Sequence, residues 1–266
     1  MQCDAILFEL NQTCNLDCEY CFYRDYGRVK DNLLPTQLKK ILNQYDSIGN
    51  IYFTGGECTI NPYFEELLSI AEKKAPITIF TNGVTLNDES FSKEIDKYIS
   101  NYIITFDSYD EDYFCRKRIN DTLTTIKKMV QKSPEKLIVK ICINKYNIDH
   151  LEDIIKYLKK IGVKKISINF VHNIKKNSNN FEISKEEKKK VFEILDLYEE
   201  IRYIKYYEEI KAYVLNDTKN NLIDNCKAGR EFFFYDCKGN KHFCPAEYKV
   251  NKNCISKECI SLFEMF

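Results

Sequence analysis

Residues 3–21 read CDAILFELNQTCNLDCEYC. The opening part, Cys3 to Leu10, is an apolar run that reads as a buried strand. The closing part, CNLDCEYC, sets Cys14, Cys18 and Cys21 at CxxxCxxC spacing, with Tyr20 directly before the last thiol. Three thiolates this close suit three corners of a cubane iron–sulfur cluster and leave the fourth iron without a protein ligand. An open coordination position is what separates catalytic metal sites from closed structural ones. Zinc completed by a fourth ligand from elsewhere, or one half of a disulfide framework, are the competing readings of the same thiols. No secretory signal precedes the motif, which weighs against disulfides.

Downstream, the short strand Ile51-Tyr52-Phe53 runs into Thr54-Gly55-Gly56-Glu57. Two glycines and a carboxylate at a strand end expose backbone carbonyls and an acceptor where a ligand can approach closely. In this order the two motifs resemble the signature of radical S-adenosylmethionine (radical SAM) enzymes. The resemblance implies that Cys14, Cys18 and Cys21 hold a SAM-binding [4Fe-4S] cluster. It also implies that Gly55, Gly56 and Glu57 hold the amino group of SAM.

The whole chain sets the bounds. Its 266 residues suffice for one large domain, or one with a small companion. Lys+Arg and Asp+Glu stand at 40 each, so charge gives no case for a nucleic-acid or anionic-membrane partner. The first residues lack the apolar core of a signal peptide, and no apolar stretch reaches the roughly 18 residues of a membrane span. A cytoplasmic location is the expectation. In such a reducing compartment twelve cysteines point to metal ligation rather than crosslinks, and three scattered histidines make an imidazole metal site a poor reading.

Six apolar runs recur as candidate strands: Ala5–Leu10, Ile51–Phe53, Ile77–Phe80, Tyr102–Phe106, Leu137–Ile143 and Lys165–Phe170. Helical patterns lie between most of them. Asn61-Pro62 reads as an N-cap with proline at the first helical position. Ile148, Leu151, Ile154, Ile155, Leu158 and Ile161 trace one apolar face, and Ser184 with Glu187 fits a capping box. Alternating strands and helices imply an α/β fold with a parallel sheet. Six βα units are too few to close an eight-stranded barrel, and a partial (βα)6 open TIM-like barrel resembles the radical SAM core. By strand position the resemblance also implies SAM contacts from Asn82, from Thr105, and from Arg116 or Arg118, whose planar, permanently charged forks suit a carboxylate. Asn144, Asn147 and Asn169 are weaker candidates, and Asn147 is alternatively a helix cap.

After about residue 205 the rhythm stops and cysteine returns, which divides the chain into a core of 1–205 and a small cysteine-rich unit of 206–266. Glu231–Tyr235 reads as a strand, Lys238-Gly239-Asn240 as a turn and Lys241–Phe243 as the returning strand. The segment from Cys226 to Cys244 resembles the opening of a SPASM or twitch domain. That resemblance implies one auxiliary [4Fe-4S] cluster held by Cys226, Cys244, Cys254 and Cys259, with Cys237 as a fifth candidate and zinc as the competing metal. Cys3, Cys58, Cys115 and Cys142 have no partner pattern and read as buried small hydrophobes.

The resemblance implies reductive cleavage of SAM to a 5′-deoxyadenosyl radical that abstracts hydrogen, fed by a low-potential electron donor such as flavodoxin or ferredoxin. The expected substrate is a peptide or protein, as in the maturation of ribosomal peptide natural products. The alternative is oxidation or epimerisation of a sugar or aminocyclitol alcohol. A reading of another class is a non-catalytic iron–sulfur or zinc protein.

Overall fold

The computed structural model describes every residue except Phe22, Asp25, Tyr26, Glu111, Phe114, 172–180, Lys205, Tyr206, 217–226, Cys244 and 246–266, and leaves aside the side chains of Tyr213 and Asn216. Cys226, Cys244, Cys254 and Cys259 therefore lie outside the described residues.

Seven parallel strands build the frame. They are β1 (Gln2–Glu9), β2 (Ser47–Thr54), β3 (Ile77–Thr81), β4 (Asn101–Thr105), β5 (Leu137–Ile143), β6 (Ile166–Phe170) and β7 (Phe232–Tyr235), followed by a short β8 (Lys241–His242). Their order in the sheet is β6-β5-β4-β3-β2-β1-β7-β8, and only β7 and β8 pair antiparallel. Helices α1 (Pro35–Leu42), α2 (Phe64–Ala71), α3 (Glu89–Asp96), α4 (Ile119–Lys132) and α5 (Leu151–Lys160) carry the chain from each strand to the next, and α6 (Lys185–Asp196) and α7 (Tyr207–Asn216) follow β6. The result is an α/β fold on a mostly parallel sheet. Strands covered on both faces lose the alternation of a half-exposed strand and read as nearly continuous apolar runs, as in LIVKICI of β5, broken only by Lys140.

The helical signals hold in part. Ile148, Leu151, Ile154, Ile155 and Leu158 are buried as their spacing requires. Ser184 and Glu187 form the reciprocal capping box, with Glu187 N–H donating to Ser184 Oγ at 3.2 Å and Ser184 N–H to Glu187 Oε2 at 2.6 Å. Asn61 does not cap α2. Its side chain instead donates to the Leu10 carbonyl at 2.8 Å and accepts from Tyr63 N–H at 2.8 Å, and the helix begins at Phe64. Asn147 likewise caps no helix with its side chain. It donates to the Asp107 and Cys142 carbonyls at 3.1 and 3.0 Å and so ties the ends of β4 and β5 together. The tyrosine-rich stretch after residue 197 packs helices: Tyr198 donates to Glu152, and Tyr207 to Asp196.

The hairpin expected near the C-terminus is present, but it does not stand apart from the sheet. β7 pairs in parallel with β1, Phe232 opposite Ala5 and Tyr235 opposite Phe8. All four residues of β7 are buried. Tyr235 stacks on Phe8 at 5.4 Å between ring centroids, and its hydroxyl meets that of Tyr45 at 2.8 Å. A run of four buried aromatics needs apolar cover on both faces, and its place beside β1 supplies it. Among the described residues, no helix is long and apolar enough to cross a membrane.

Because β7 shares the main core, Phe233→Ala should lower the stability of the whole unit by about 3–5 kcal/mol. Urea unfolding followed by circular dichroism should show one displaced transition. An unchanged main transition with a separate early loss would mean that β7 is an independent unit.

Candidate functional site

The parallel strands all end on one rim, and the sequence motifs meet there. Past the ends of β1 and β2 the two chains continue to bond: Leu10 N–H to Thr54 O at 2.8 Å, Gly56 N–H to Asn11 O at 3.0 Å and Glu57 N–H to Thr13 O at 2.8 Å. Asn11 Nδ2 adds a bond to Glu57 O at 3.0 Å. The approach is so close that a Cβ on Gly56 would sit 2.2 Å from Thr13 O, and one on Gly55 2.5 Å from Asn11 O. The glycines are thus required by the segment leading into the cysteine loop, which lies directly against them.

Glu57 turns its carboxylate inward, 1% exposed. It accepts from Thr59 Oγ1 at 2.6 Å, Thr81 Oγ1 at 2.7 Å and Asn82 N–H at 2.7 Å. Burial pushes its carboxyl pKa up against the opposing pull of those hydrogen bonds. The side chain therefore braces β2 against β3 from behind, and the main chain of the turn faces the cleft.

That cleft, about 380 Å3, is lined by Cys14, Cys18 and Cys21 together with Gly56, Asn82, Thr105 and Arg116. Burial raises the Cys14 thiol and pushes Cys18 up to about 12, so metal binding at these two would have to displace their protons. Among the described residues, no three histidine, cysteine or acidic side chains converge on a point as the ligands of a single ion do. Three thiols lining one cleft suit a cluster of several metal atoms, in which each thiolate meets a different one.

Asn82, expected at the SAM site, is bound on all sides. Its Nδ2 donates to Asn15 Oδ1 at 2.7 Å and approaches Cys14 Sγ at 3.7 Å. Thr105 lines the cleft. The two arginines separate: Arg116 is 2% exposed and lines the cleft, whereas Arg118 lies at the surface, paired with Asp121 at 2.5 Å at the start of α4. Arg118 is thus held at the surface by Asp121, and of the two arginines Arg116 is the one that lines the cleft.

Sequence reasoning missed Asp107, the fully buried group on which this side of the site turns. Its carboxylate accepts from Arg116 Nη1 at 3.2 Å, from Cys142 N–H at 2.8 Å and from the Tyr20 hydroxyl. Burial works against the Arg116 charge, but Asp107, with Tyr20 and Cys18 beside it, raises the guanidinium's pKa on balance. Arg116 Nη2 also reaches Asn82 O at 3.3 Å and Thr122 Oγ1 at 3.2 Å, while Nε has no partner. The available signal was position: Asp107 is an acid two residues past the end of an apolar strand. Glu9 is a second buried acid that was missed. It accepts from Gln12 Nε2 at 3.1 Å and from the Tyr23 hydroxyl. Cys58, Cys3 and Cys115 are buried as expected, but Cys142 is not purely structural, because it lines the cleft.

Comparison with known proteins agrees with this geometry. Residues 8–182, more than half of the chain, match the Radical SAM superfamily. The chain is 29% identical over 178 residues to the cysteine-type anaerobic sulfatase-maturating enzyme of Clostridium novyi (strain NT), covering 56% of this chain and 46% of that protein. It is 26% identical over 245 residues to the S-adenosylmethionine-dependent nucleotide dehydratase of Lacinutrix mariniflava, covering 83% of this chain and 50% of that protein. The chain thus spans about half the length of these curated relatives. Its fold is similar to that of Streptococcus suis SuiB in a crystal structure with the precursor peptide SuiA bound. The TM-score is 0.71 at 16% identity, over 99% of this chain and 65% of that one.

Two substitutions test the construction of the rim. Gly56→Ala forces a methyl into Thr13 O and should cost about 1–3 kcal/mol or more, with iron loading after reconstitution falling alongside the urea midpoint. An unchanged midpoint would mean that the two segments do not press together. Asp107→Ala strands a buried guanidinium and should cost ~3–5 kcal/mol, read in the same unfolding experiment; a loss below about 1 kcal/mol would show that Arg116 finds another partner or reaches water.

Proposed function

This chain belongs to the radical SAM superfamily, and we propose that it cleaves SAM reductively and abstracts a hydrogen atom from a peptide or protein. Superfamily members are enzymes, and membership implies a [4Fe-4S] cluster and SAM. The observation that carries the reading is the shared cleft: Cys14, Cys18 and Cys21 line it together with Gly56 and the buried Arg116.

In this reading Cys14, Cys18 and Cys21 hold the cluster. Gly55, Gly56 and Glu57 offer main-chain oxygens to the SAM ammonium, since the Glu57 carboxylate is sealed behind them. The unpartnered Nε of Arg116 meets the SAM carboxylate, with Asp107 fixing the guanidinium plane. Asn82 and Thr105 give polar contacts, and Tyr20, Phe80, Phe170 and Val171 line the same cleft and keep water from the reacting atoms. Bound there, the cluster and SAM supply a low-potential electron and a 5′-deoxyadenosyl radical. Arg118 takes no part.

A peptide substrate is supported by the relative named for maturating a sulfatase and by the fold neighbour that binds a precursor peptide. A second reading, turnover of a small polar molecule such as a sugar or aminocyclitol, is favoured by the nucleotide dehydratase, which aligns over a larger share of this chain. We further propose that the sheet curves as a partial barrel and that 206–266, whose strand β7 joins the main sheet, carries a SPASM- or twitch-like auxiliary site. Cys226, Cys244, Cys254 and Cys259 would there hold an auxiliary [4Fe-4S] cluster. Flavodoxin or ferredoxin would supply electrons in the cytoplasm.

Anaerobically reconstituted protein given SAM and dithionite should form 5′-deoxyadenosine, and Cys18→Ala should form none. Absence of product from protein carrying a full iron load, or zinc in place of iron, would overturn the proposal.

A further inference from the structure

Arg28 lines the cleft beside Cys14 and Leu16, and the reading above leaves it without a role. Its place is set by the chain that returns from the cysteine loop. That chain runs back along the loop's first residues. Val29 N–H donates to Gln12 Oε1 at 3.0 Å, Asn32 bridges Asn11 in antiparallel fashion, and Leu33 N–H donates to Leu10 O at 2.8 Å. Gln12 is itself held by Glu9. The backbone around Arg28 is therefore fixed from the β1 side, and its side chain reaches across to the loop.

There both Nη atoms face Leu16 O at 3.4 Å, while Leu16 N–H points to Cys14 Sγ at 3.4 Å. One residue separates the guanidinium from the first thiol. Among the described residues Arg28 pairs with Asp17, at 3.4 Å, an acid that is 67% exposed and also lies 4.0 Å from Arg24. An ion pair so open to water is largely screened. The Arg28 side chain is only 25% exposed, so more of its field enters the cleft than of Asp17's.

The rest of the cleft offers no comparable charge. Arg116 is matched inside the protein by Asp107 at 3.2 Å. The described residues that line the cleft include no acid and no further cation. Behind the glycine turn, the Glu57 carboxylate is held by neutral donors. Three thiolates outweigh the positive charge of an oxidised cubane core, and reduction adds one more negative charge. In a cleft of low dielectric, a nearby cation stabilises that added charge strongly.

Resting on the radical SAM reading, we infer that Arg28 is the countercharge of the cluster held by Cys14, Cys18 and Cys21, and that its guanidinium favours the reduced state. In the step one electron enters the cluster from a reduced iron–sulfur or flavin protein, and no bond forms or breaks. Arg28 stays protonated throughout and acts through its field alone. The effect therefore follows the sign of the side chain at this position, not its shape.

The test reads the cluster itself, without SAM or substrate. Reconstituted protein is poised at a fixed low potential with dithionite and mediators. The reduced-to-oxidised ratio is then taken from electron paramagnetic resonance and visible absorbance. Counted per cluster, the ratio does not depend on how much iron each variant holds. Arg28→Gln should lower it roughly tenfold and Arg28→Glu roughly a hundredfold, while Arg28→Lys should stay within about threefold of the wild type. An equal shift in all three variants would show that Arg28 only clamps Leu16. A Gln variant within about twofold of the wild type would show that its charge does not reach the cluster. Either result overturns the inference, and if the Glu variant takes up no iron, the Gln and Lys variants decide it. A wild type that takes up no reducible [4Fe-4S] cluster would instead overturn the parent reading.

Discussion

The contact on which the rest depends is backbone against backbone: residues 11–13 lie on Gly55 and Gly56 with no room for a side chain between them. It extends the β1–β2 ladder beyond the strands and turns a ladder into a mount. The cysteine loop leaves the sheet at a fixed height and angle because its first residues are still hydrogen-bonded to the neighbouring strand. Gly55, at φ 156°, adopts a conformation that side chains rarely tolerate. Gly55 is therefore demanded by conformation and by proximity, and Gly56 by proximity alone, before any ligand is considered. The Glu57 carboxylate completes the mount from behind by gathering donors from Thr59, Thr81 and Asn82.

The opposite side of the cleft is organised by charge. Asp107 and Arg116 are both buried, and neither is tolerable there alone. Because the same carboxylate also takes the Tyr20 hydroxyl and Cys142 N–H, three segments are set by one group: the cysteine loop, the β4–α4 connection and the end of β5. A network of this kind contributes little net stability compared with apolar packing, but it fixes geometry, since each partner left unsatisfied is costly. That is the property a site needs when it must hold reacting atoms in register.

Much of this was legible in the sequence because the deciding signals are local. The strand β5 was read to its exact bounds as Leu137–Ile143, because a doubly covered strand is a nearly continuous apolar run, here broken only by Lys140. The Ser184–Glu187 capping box is a pattern three residues apart and needed nothing else. Asn61-Pro62 misled for the reverse reason: its asparagine meets the Leu10 carbonyl, a partner 51 positions away that no window contains. Arg116 and Arg118 differ by two residues and were indistinguishable until α4 gave one of them Asp121. The role of Asp107 depends on Tyr20, Arg116 and Cys142 arriving from three elements, and no spacing announces such a meeting. β7 was recognised as a strand but not as a neighbour of β1, because strand order in a sheet is a property of the fold as a whole.

That placement of β7 has a consequence for the cysteine loop. Glu9, at the end of β1, accepts from Gln12 and Tyr23, which flank the three thiols. It also accepts from the backbone N–H of Cys237, at the turn beyond β7. A fully buried carboxylate cannot exchange these donors for water, so the loop and the hairpin are held to the same two oxygens. Gln37 of α1 adds a second tie, donating to Lys238 O at 2.8 Å. The chain beyond the hairpin therefore departs from a point locked to the cysteine loop. The described hairpin is thereby tied through Glu9 to the rim of the cleft.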